Sequence, residues 1–434
     1  MKNIYKNPIH KILDHNSRVM AKDLFIDNNT QTTGLNNNDL IIGASGCGKT
    51  RSYVIPNILH TNDSMIIVDT KNSLYKNYAP SLSKRGYTIW NLNLAKSKNS
   101  SVGYNPLCFV RKTPGKSFPY SRQDVDTLCS YLCSSEFNKE PFWDLAARMY
   151  LTAYISYVLE ALPENEQHLG TVAKLLNMPE ADALFWEWEL AYPDSFATKK
   201  WKLFKDCTEA GKTVASIQMN CNEKLATFQG NSIQRLFSHP EQIDFGYMSN
   251  HKTALFINVS DTDRSCDKLL NLLYSQAFHQ LCQIADDSYE GRLRIPVRII
   301  LDDFAANAVI LDFDKIISVI RSREIYVSII LQSLTQLYSI YGEDAAKTII
   351  NNCDNCLYLG GQDVTTAHYI AKRANVPPNK ILNLPLGDAY LFVRGQTPRQ
   401  VMKYDLETDN AYQSIKSPVS IPDSESLDVQ HDIF

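Results

Sequence analysis

The octapeptide GASGCGKT at residues 43–50 has the spacing of a phosphate-binding loop, in which a glycine and four residues precede Gly-Lys-Thr. Its three glycines would let several backbone N–H groups point at phosphate oxygens. The lysine would reach the β- and γ-phosphates, and the threonine hydroxyl would bind Mg²⁺. We therefore expect ATP and Mg²⁺ as cofactors, with the nucleotide bound by Gly43, Ala44, Ser45, Gly46, Cys47, Gly48, Lys49, Thr50 and Arg51.

The residues around this loop have the pattern that the chemistry requires. DLII before it is a short apolar run typical of a strand, and TRSYVIPNILH after it predicts a helix. A helix that begins at the loop would add its positive dipole end to the phosphate site. The alternative is a glycine turn between a strand and a helix that binds no ligand.

Two adjacent carboxylates follow a second apolar run, in IILDDF at residues 299–304. Ligands in open α/β sheets bind at the carboxyl ends of the strands, where this pair would lie. We expect Asp302 to hold Mg²⁺ through water and Asp303 to position the water that attacks the γ-phosphate. The alternative is an exposed acidic turn.

Two further polar side chains could serve the same reaction. Gln332 ends the apolar run VSIIL and would sense the γ-phosphate from an adjacent strand. Arg321 stands eleven residues before it, where a helix is expected to end, and could reach the nucleotide of a neighbouring subunit as an arginine finger. Arg323 is the competing choice, and both arginines could instead be solvated charges at a helix end.

Alternating strand and helix patterns surround these motifs and predict an α/β fold with a mostly parallel sheet. Between Ser117 and Phe245 the alternation stops, and only helical periodicity is present. The sheet is therefore expected to be interrupted by an all-α insertion. The predicted division is an N-terminal segment (1–38), the first part of the sheet domain (39–117), the inserted helical domain (118–245), the second part of the sheet domain (246–406) and a disordered tail (407–434).

Composition limits the possible classes of protein. With 434 residues, 44% hydrophobic and 21% charged, the chain is typical of a soluble globular protein. A net charge of −3 excludes a globally basic nucleic-acid binder, so contacts with a nucleic acid must be local. The ten cysteines follow no signal peptide and have no zinc-type spacing, so we expect free, mostly buried thiols and no metal bound to them. MYLTAYISYVLEAL is too short for a membrane span.

Four segments together resemble a known family: GASGCGKTRSYVIPNIL, SVGYNPL, LDDFAANAVILDFDKIISVIRSREIYVSIILQSLTQLYSIYG and NCDNCLYLGGQDVTTAHYIAKR. They are similar to type IV secretion coupling proteins, the conjugative ATPases that pump relaxase-bound single-stranded DNA toward the secretion channel. The resemblance covers about residues 40–406 and implies a RecA-like P-loop NTPase domain with an inserted all-α domain. It also implies a homohexameric ring, which fits a heterologous interface that closes on itself. The implied partners are single-stranded DNA, the relaxase or relaxosome, and the secretion channel.

The resemblance also implies roles for individual residues. Lys49 and Thr50 match the family's phosphate-loop pair, and Asp302 matches its Mg²⁺ aspartate. Gln332 matches its sensor glutamine and Arg321 its proposed finger.

The sequence departs from the family pattern in three places. Asp303 stands where the family has Glu, one methylene longer, so hydrolysis is expected to be slow or the water to be held differently. DTKNSLY replaces the family's Asp-Pro-Lys-Gly-Glu-Leu-Tyr, which leaves the role of Lys71 open. Transmembrane helices that begin most members have no counterpart in this sequence. Two alternatives follow: a soluble cytoplasmic chain held at the inner face of the membrane by a membrane-anchoring partner, or a fragment of a longer protein.

Three functions remain open from the sequence. The first is an ATP-driven translocase that couples DNA to the secretion channel, and the second is a non-hydrolysing or slowly hydrolysing docking module for relaxase or protein cargo. The third is a ring motor of the same superclass that acts on duplex DNA. KKWKLFK at residues 199–205 could contact DNA, with its lysines on phosphates and its aromatic residues stacked on bases, but an amphipathic helix with a solvated lysine face is favoured.

Overall fold

The computed structural model describes residues 5–6, 17–113, 115, 118–133, 141–178, 181–207, 211–260, 262–304 and 309–416. Within these ranges the chain forms a nine-stranded sheet and a small three-stranded antiparallel sheet. The strands are β1 (Tyr5–Lys6), β2 (Ser17–Ala21), β3 (Leu24–Asp27), β4 (Asp39–Ile42), β5 (Ser64–Asp69), β6 (Thr88–Asn93), β7 (Thr253–Asn258), β8 (Val297–Leu301), β9 (Ile325–Leu331), β10 (Asn355–Tyr358), β11 (Asp388–Val393) and β12 (Arg399–Met402).

The helices lie on both faces of the large sheet and in one continuous block between β6 and β7. They are α1 (Thr30–Thr33), α2 (Ile55–His60), α3 (Ser73–Lys84), α4 (Arg122–Cys133), α5 (Pro141–Ala161), α6 (Leu169–Leu176), α7 (Ala181–Ala191), α8 (Phe196–Cys207), α9 (Gly211–Leu225), α10 (Asn231–Phe237), α11 (Phe245–Asn250), α12 (Asp267–Asp287), α13 (Phe313–Val319), α14 (Leu334–Asn351), α15 (Val364–Ala374), α16 (Pro378–Leu382) and α17 (Asn410–Lys416).

The large sheet has the order β12-β11-β10-β4-β9-β8-β5-β7-β6. The seven strands from β10 to β6 in this order run parallel, and β11 and β12 are antiparallel additions at one edge. Every residue of β4, β8 and β9 is buried, because helices cover both faces, and such strands read as continuous apolar runs. The predicted α/β fold with a mostly parallel sheet is therefore confirmed.

Alternate residues along each strand belong to two cores. Leu40 and Ile42 pack on the face covered by α12 and α14, and this core continues into the helical block. Ile41 packs on the opposite face with Ile58 of α2 and Leu82 of α3. The period-two alternation of β4 thus fixes the helix that follows the phosphate loop to one face of the sheet.

The helical block between β6 and β7 contains α4 to α11, and no strand occurs in its described residues. Its centre is an aromatic cluster in which Trp201 stacks on Phe185 with ring centroids 4.6 Å apart and Phe204 is fully buried. The boundaries predicted for the inserted domain, at residues 118 and 245, stay a prediction.

The buried aromatic rings decide the interpretation of KKWKLFK. Trp201 is 4% exposed, so neither it nor Phe204 can stack on a nucleic-acid base without unfolding the helix. Lys199 and Lys202, on the solvated face, pair with Asp194 and Glu189. The base-stacking hypothesis is therefore wrong, and the helix is the amphipathic one that was favoured.

Near the start of the chain, the polar run DNNTQTTGLNNND contains the helical turn α1, which Asn29 caps by accepting from the N–H groups of Gln31 and Thr32. Near the other end the structure differs from the prediction. The C-terminal tail was expected to be disordered from residue 407. That was wrong for residues 407–416, because a 3₁₀ turn at Leu406–Thr408 and α17 pack against the sheet domain. Residues 417–434 lie outside the described residues.

Two expectations concern membranes and cysteines. All ten cysteines are free, and Cys129, Cys133, Cys353 and Cys356 are buried. In the described part of the chain, no helix combines the length and the apolar character that crossing a membrane requires.

Candidate functional site

The carboxyl ends of three adjacent strands carry the predicted site residues. β9 lies between β4 and β8, so the phosphate loop after β4 and Asp302 after β8 flank Gln332 after β9. Because these strands are parallel, their carboxyl ends share one edge of the sheet, where α/β proteins bind ligands. The sheet therefore brings together motifs that are about 250 residues apart in sequence.

The phosphate loop is tied to this edge by its first two residues. The Gly43 N–H donates to the Leu331 carbonyl at 3.0 Å, and the Ala44 N–H donates to the Gly360 carbonyl at 2.9 Å. A β-carbon on Gly43 would lie only 2.3 Å from the Cys47 Sγ, so the loop closes on itself too tightly for a side chain there.

The middle of the loop depends on glycine for its conformation. Gly46 and Gly48 have φ values of 77° and 94°, in the region that glycine adopts without steric cost. Ser45 and Gly46 are exposed at the tip of the loop. These conformations leave backbone N–H groups available to an anion, as the sequence pattern requires.

Lys49 is buried, and its ammonium lies against the loop itself. Its Nζ donates to the Gly43 carbonyl at 2.8 Å and to the Ala44 carbonyl at 3.3 Å. A bound phosphate would take over these hydrogen bonds, because a charged oxygen is a stronger acceptor than a carbonyl. Thr50 begins a π-helical turn, Thr50–Val54, that leads into α2.

The site offers two hard oxygen ligands to a divalent cation. The Thr50 Oγ1 donates to the Asp302 Oδ2 at 3.3 Å. Burial, with a further contribution from the Asp303 charge, raises the pKa of Asp302 to about 6. A bound cation would stabilise the charged form of the Asp302 carboxylate and so offset both its burial and the repulsion from Asp303. Thr50 and Asp302 supply two protein oxygens, which fits a Mg²⁺ ion that also binds phosphate oxygens.

Asp303 has an unusual backbone conformation for its residue type. Its φ is 47°, in the left-handed region that non-glycine residues seldom adopt and that concentrates at functional sites. Its N–H donates to the Asp302 Oδ1 at 3.0 Å. Its own Oδ1 is buried and, among the described residues, has no hydrogen-bond partner. An unsatisfied carboxylate oxygen beside the cation ligands is what orienting a water molecule requires.

Gln332 is half-buried directly after β9. Its backbone N–H donates to the Gln336 side chain at 3.1 Å, which fixes the start of the turn into α14. The residue therefore sits at the predicted edge of the sheet, between the loop after β4 and the acidic pair after β8.

Arg321 lies at the opposite end of β9, in the 3₁₀ turn Ile320–Arg323, and is exposed. The seven residues of β9, at about 3.3 Å each, separate it from the nucleotide edge by about 20 Å. It therefore cannot act on the nucleotide site of its own chain. Its competitor Arg323 is held by Asp286 at 2.7 Å.

The Arg321 Nη2 donates to the Gly34 carbonyl at 2.8 Å, and Arg394 donates to the same oxygen. Nothing in the local sequence of Arg394 links it to Arg321. Likewise, nothing in the local sequence of Lys403 links it to the phosphate loop, where its Nζ donates to the Cys47 carbonyl at 2.9 Å. The roles of all these residues stay predictions.

A family profile described as type IV secretory system conjugative DNA transfer matches residues 6–374. The chain belongs to this family. Among curated relatives, VirD4 of Rhizobium radiobacter is 21% identical over 362 residues, and VirD4 of Agrobacterium fabrum is 21% identical over 363 residues. The alignments cover 79% of this chain but only 48% and 50% of those proteins, so the chain spans about half their length.

Solved coupling-protein structures share the fold. The unbound form of the bacterial conjugative coupling protein TrwBdeltaN70 aligns over 90% of this chain and 88% of its own, with a TM-score of 0.67 and 16% identity. TrwB in complex with ADP and Mg²⁺ aligns over 89% of both chains, with a TM-score of 0.65. VirB4 of Thermoanaerobacter pseudethanolicus gives a TM-score of 0.53 at 14% identity. At these identities the likeness shows the α/β RecA-like fold of the family and no more.

Proposed function

We propose that this chain is the ATP-driven coupling protein of a conjugative type IV secretion system, which recruits relaxase-bound single-stranded DNA and moves it toward the secretion channel. One observation carries the proposal. One edge of the sheet holds the phosphate loop, the Thr50–Asp302 pair and the Asp303 carboxylate, whose Oδ1 has no partner among the described residues. This arrangement occurs in a member of the conjugative DNA transfer family. Structures of TrwB with ADPNP and with ADP and Mg²⁺ support ATP and Mg²⁺ as the cofactors.

The proposed chemistry is in-line attack of water on the γ-phosphate. Loop N–H groups and the Lys49 ammonium bind the phosphates and stabilise the negative charge that grows on them. Asp303 orients the attacking water through its carboxylate, and Gln332 senses the γ-phosphate from β9. Mg²⁺, held by Thr50 and Asp302, would neutralise charge on the phosphate oxygens.

Arg321 completes the site only from a neighbouring chain, because it lies at the wrong end of β9 for its own. We infer a homohexameric ring in which each chain presents Arg321 to the next subunit's nucleotide. The ring would act at the cytoplasmic face of the membrane through a membrane-anchoring partner and would deliver the strand to the secretion channel.

The proposal is tested by steady-state ATP hydrolysis with no DNA, with single-stranded DNA and with duplex DNA of equal length and concentration. The coupling function predicts the highest turnover with single-stranded DNA. Equal or greater stimulation by duplex DNA would favour the alternative ring motor that acts on duplexes. An absence of turnover under all three conditions would contradict the motor.

A second candidate is a docking module that binds ATP without turning it over. Asp303 supports this candidate, because it is one methylene shorter than the family's Glu and a displacement of about 1 Å at a catalytic group can cost roughly 10²-fold in rate. The Asp303→Glu variant separates the two functions. Tight nucleotide binding without turnover in the native chain, together with turnover in the variant, would establish the docking module.

A further inference from the structure

The segment that follows β12, residues 403–416, lies across the phosphate loop and the helix after it, and is called here the C-terminal strap. Several of its side chains contact the loop and this helix. Lys403 donates to the Cys47 carbonyl at 2.9 Å, Glu407 pairs with Arg51 at 2.7 Å, and Asp409 pairs with His60 at 2.7 Å. The strap therefore contacts the loop itself and both ends of the helical segment after it.

These contacts differ in strength. The Arg51 and Glu407 side chains are 56% and 42% exposed, and ion pairs at such positions contribute little because water screens them. The Asp409 side chain is only 1% exposed and also accepts from the Tyr404 hydroxyl at 2.8 Å, so this end of the strap is firmly packed. Lys403 is half-buried, and its hydrogen bond to the loop is assisted by its charge.

The Lys403 contact falls on the peptide whose direction matters to a phosphate. A peptide group is planar and trans, so a Cys47 carbonyl that points at Lys403 turns the Gly48 N–H to the opposite side. That N–H has no acceptor among the described residues and is available to a ligand.

Glycines on both sides of Cys47 make this peptide easy to rotate. Gly46 and Gly48 have positive φ values and no side chain to resist a flip. The backbone conformation alone therefore does not fix the direction of the Gly48 N–H, and an external hydrogen bond is needed to hold it.

We propose that Lys403 is a positioning residue of the nucleotide site, which holds the Cys47–Gly48 peptide so that the Gly48 N–H faces the bound phosphate. The inference rests on the proposed function, since it assumes that the loop binds a nucleotide. Lys403 acts through the loop backbone and contacts no reacting atom. Its removal should therefore weaken nucleotide binding and raise KM, with kcat little changed.

The test compares four variants of the full chain with the native protein. Lys403→Met removes the donor, and Lys403→Arg retains a cationic donor. Lys380→Met is the matched control, because Lys380 is exposed on α16 and, within the described part of the chain, makes no hydrogen bond or ion pair with the phosphate loop. Asp409→Asn loosens the strap without removing the Lys403 donor, and reports general destabilisation.

The measurements are the dissociation constant for fluorescent MANT-ADP with Mg²⁺, KM and kcat for ATP, and the Tm of the nucleotide-free protein. Lys403→Met is expected to bind about tenfold more weakly, equivalent to about 1.4 kcal/mol. Lys403→Arg should recover most of this affinity, and Lys380→Met should bind as the native chain does. If Lys403→Met does not fold, Lys403→Gln is judged by the same criteria.

Three outcomes would overturn the proposal. They are an affinity in Lys403→Met within twofold of native, no recovery in Lys403→Arg, and an equal loss in Asp409→Asn at an equal fall in Tm. The last would mean that Lys403 only holds the fold together. A native chain that does not bind MANT-ADP would refute nucleotide binding itself, whereas native binding with an unaffected Lys403→Met refutes only the positioning role.

Discussion

Asp302 and Asp303 are adjacent carboxylates with different surroundings. Asp302 accepts hydrogen bonds from Thr50 and from the Asp303 N–H, while one oxygen of Asp303 is buried without a partner among the described residues. A residue in the left-handed region with an unsatisfied carboxylate is costly to stability, by on the order of 1–3 kcal/mol for the backbone alone. Such a cost is typical of a group that is arranged for a reaction.

We predict that Asp303→Asn raises the Tm of the nucleotide-free chain, because it removes a charge that repels the Asp302 carboxylate and because asparagine tolerates the left-handed region. The same change should remove ATP hydrolysis while leaving nucleotide binding within a few-fold of native. Thermal unfolding and MANT-ADP titration measure the two effects. Retained hydrolysis in Asp303→Asn would mean that another group orients the water.

The tight closure of the phosphate loop gives a second prediction at this scale. Gly43→Ala would place a β-carbon 2.3 Å from the Cys47 Sγ and 3.0 Å from the Leu359 Cβ. Overpacking of this kind costs about 1–3 kcal/mol, so the Tm should fall and nucleotide binding should weaken. Gly387→Ala is the control, since a β-carbon there meets nothing within 4 Å. Equal Tm values for the two variants would show that the loop is looser than described.

At the scale of elements, a buried charge network holds the amino ends of the strands that carry the site. Asp39, the first residue of β4, accepts from the Tyr53 hydroxyl at 2.5 Å, pairs with Arg18 at 2.8 Å and lies 3.5 Å from Arg298 on β8. Tyr53 belongs to the π-helical turn after the phosphate loop. Its hydroxyl also lies 2.8 Å from the Ser328 Oγ on β9, so the network ties the loop's helix to all three strands at the nucleotide edge.

Removing the carboxylate would leave two buried guanidinium groups poorly compensated, and breaking buried ion pairs in this way costs about 3–5 kcal/mol. We expect Asp39→Asn to lower the Tm strongly. Asp194→Asn, at a position with an 86% exposed side chain, should change it little. Thermal unfolding of both variants makes the comparison, and a similar Tm for the two would contradict the structural role of the network.

The sequence predicts those elements whose residues carry a local pattern. β4, β8 and β9 are buried on both faces and therefore appear as apolar runs, and the residues after them form contiguous motifs. β12 was missed because its residues are mostly exposed at a sheet edge. The contact of Lys403 with Cys47 joins residues 356 positions apart, and no spacing rule covers such a distance.

At the scale of the whole molecule, one chain cannot contain a complete site if Arg321 is catalytic. Arg321 and the nucleotide edge lie at opposite ends of β9, so the arginine must come from another chain. We predict that Lys49→Ala and Arg321→Ala are each inactive alone but regain part of the ATP turnover when mixed. In the mixture, a Lys49→Ala chain can present its intact Arg321 to the nucleotide of an Arg321→Ala chain, which retains Lys49. Such an interface contains both residues and should hydrolyse ATP.

The control for this mixture is the Lys49→Ala/Arg321→Ala double variant mixed with Arg321→Ala, which forms no intact interface. Turnover in the first mixture and none in the second would place Arg321 in trans. Full activity of Arg321→Ala alone would show that the exposed arginine, held by the Gly34 carbonyl, is a solvated charge at a helix end.

The most direct test of the proposed motor is ATP turnover by the native chain with saturating single-stranded DNA, measured beside Lys49→Ala and the surface control Lys380→Ala. We predict turnover that rises with DNA, persists in Lys380→Ala and disappears in Lys49→Ala, because the Lys49 ammonium lies in the phosphate loop, where it would bind the β- and γ-phosphates. Turnover that survives in Lys49→Ala, or a native chain that hydrolyses no ATP with DNA present, would contradict the account.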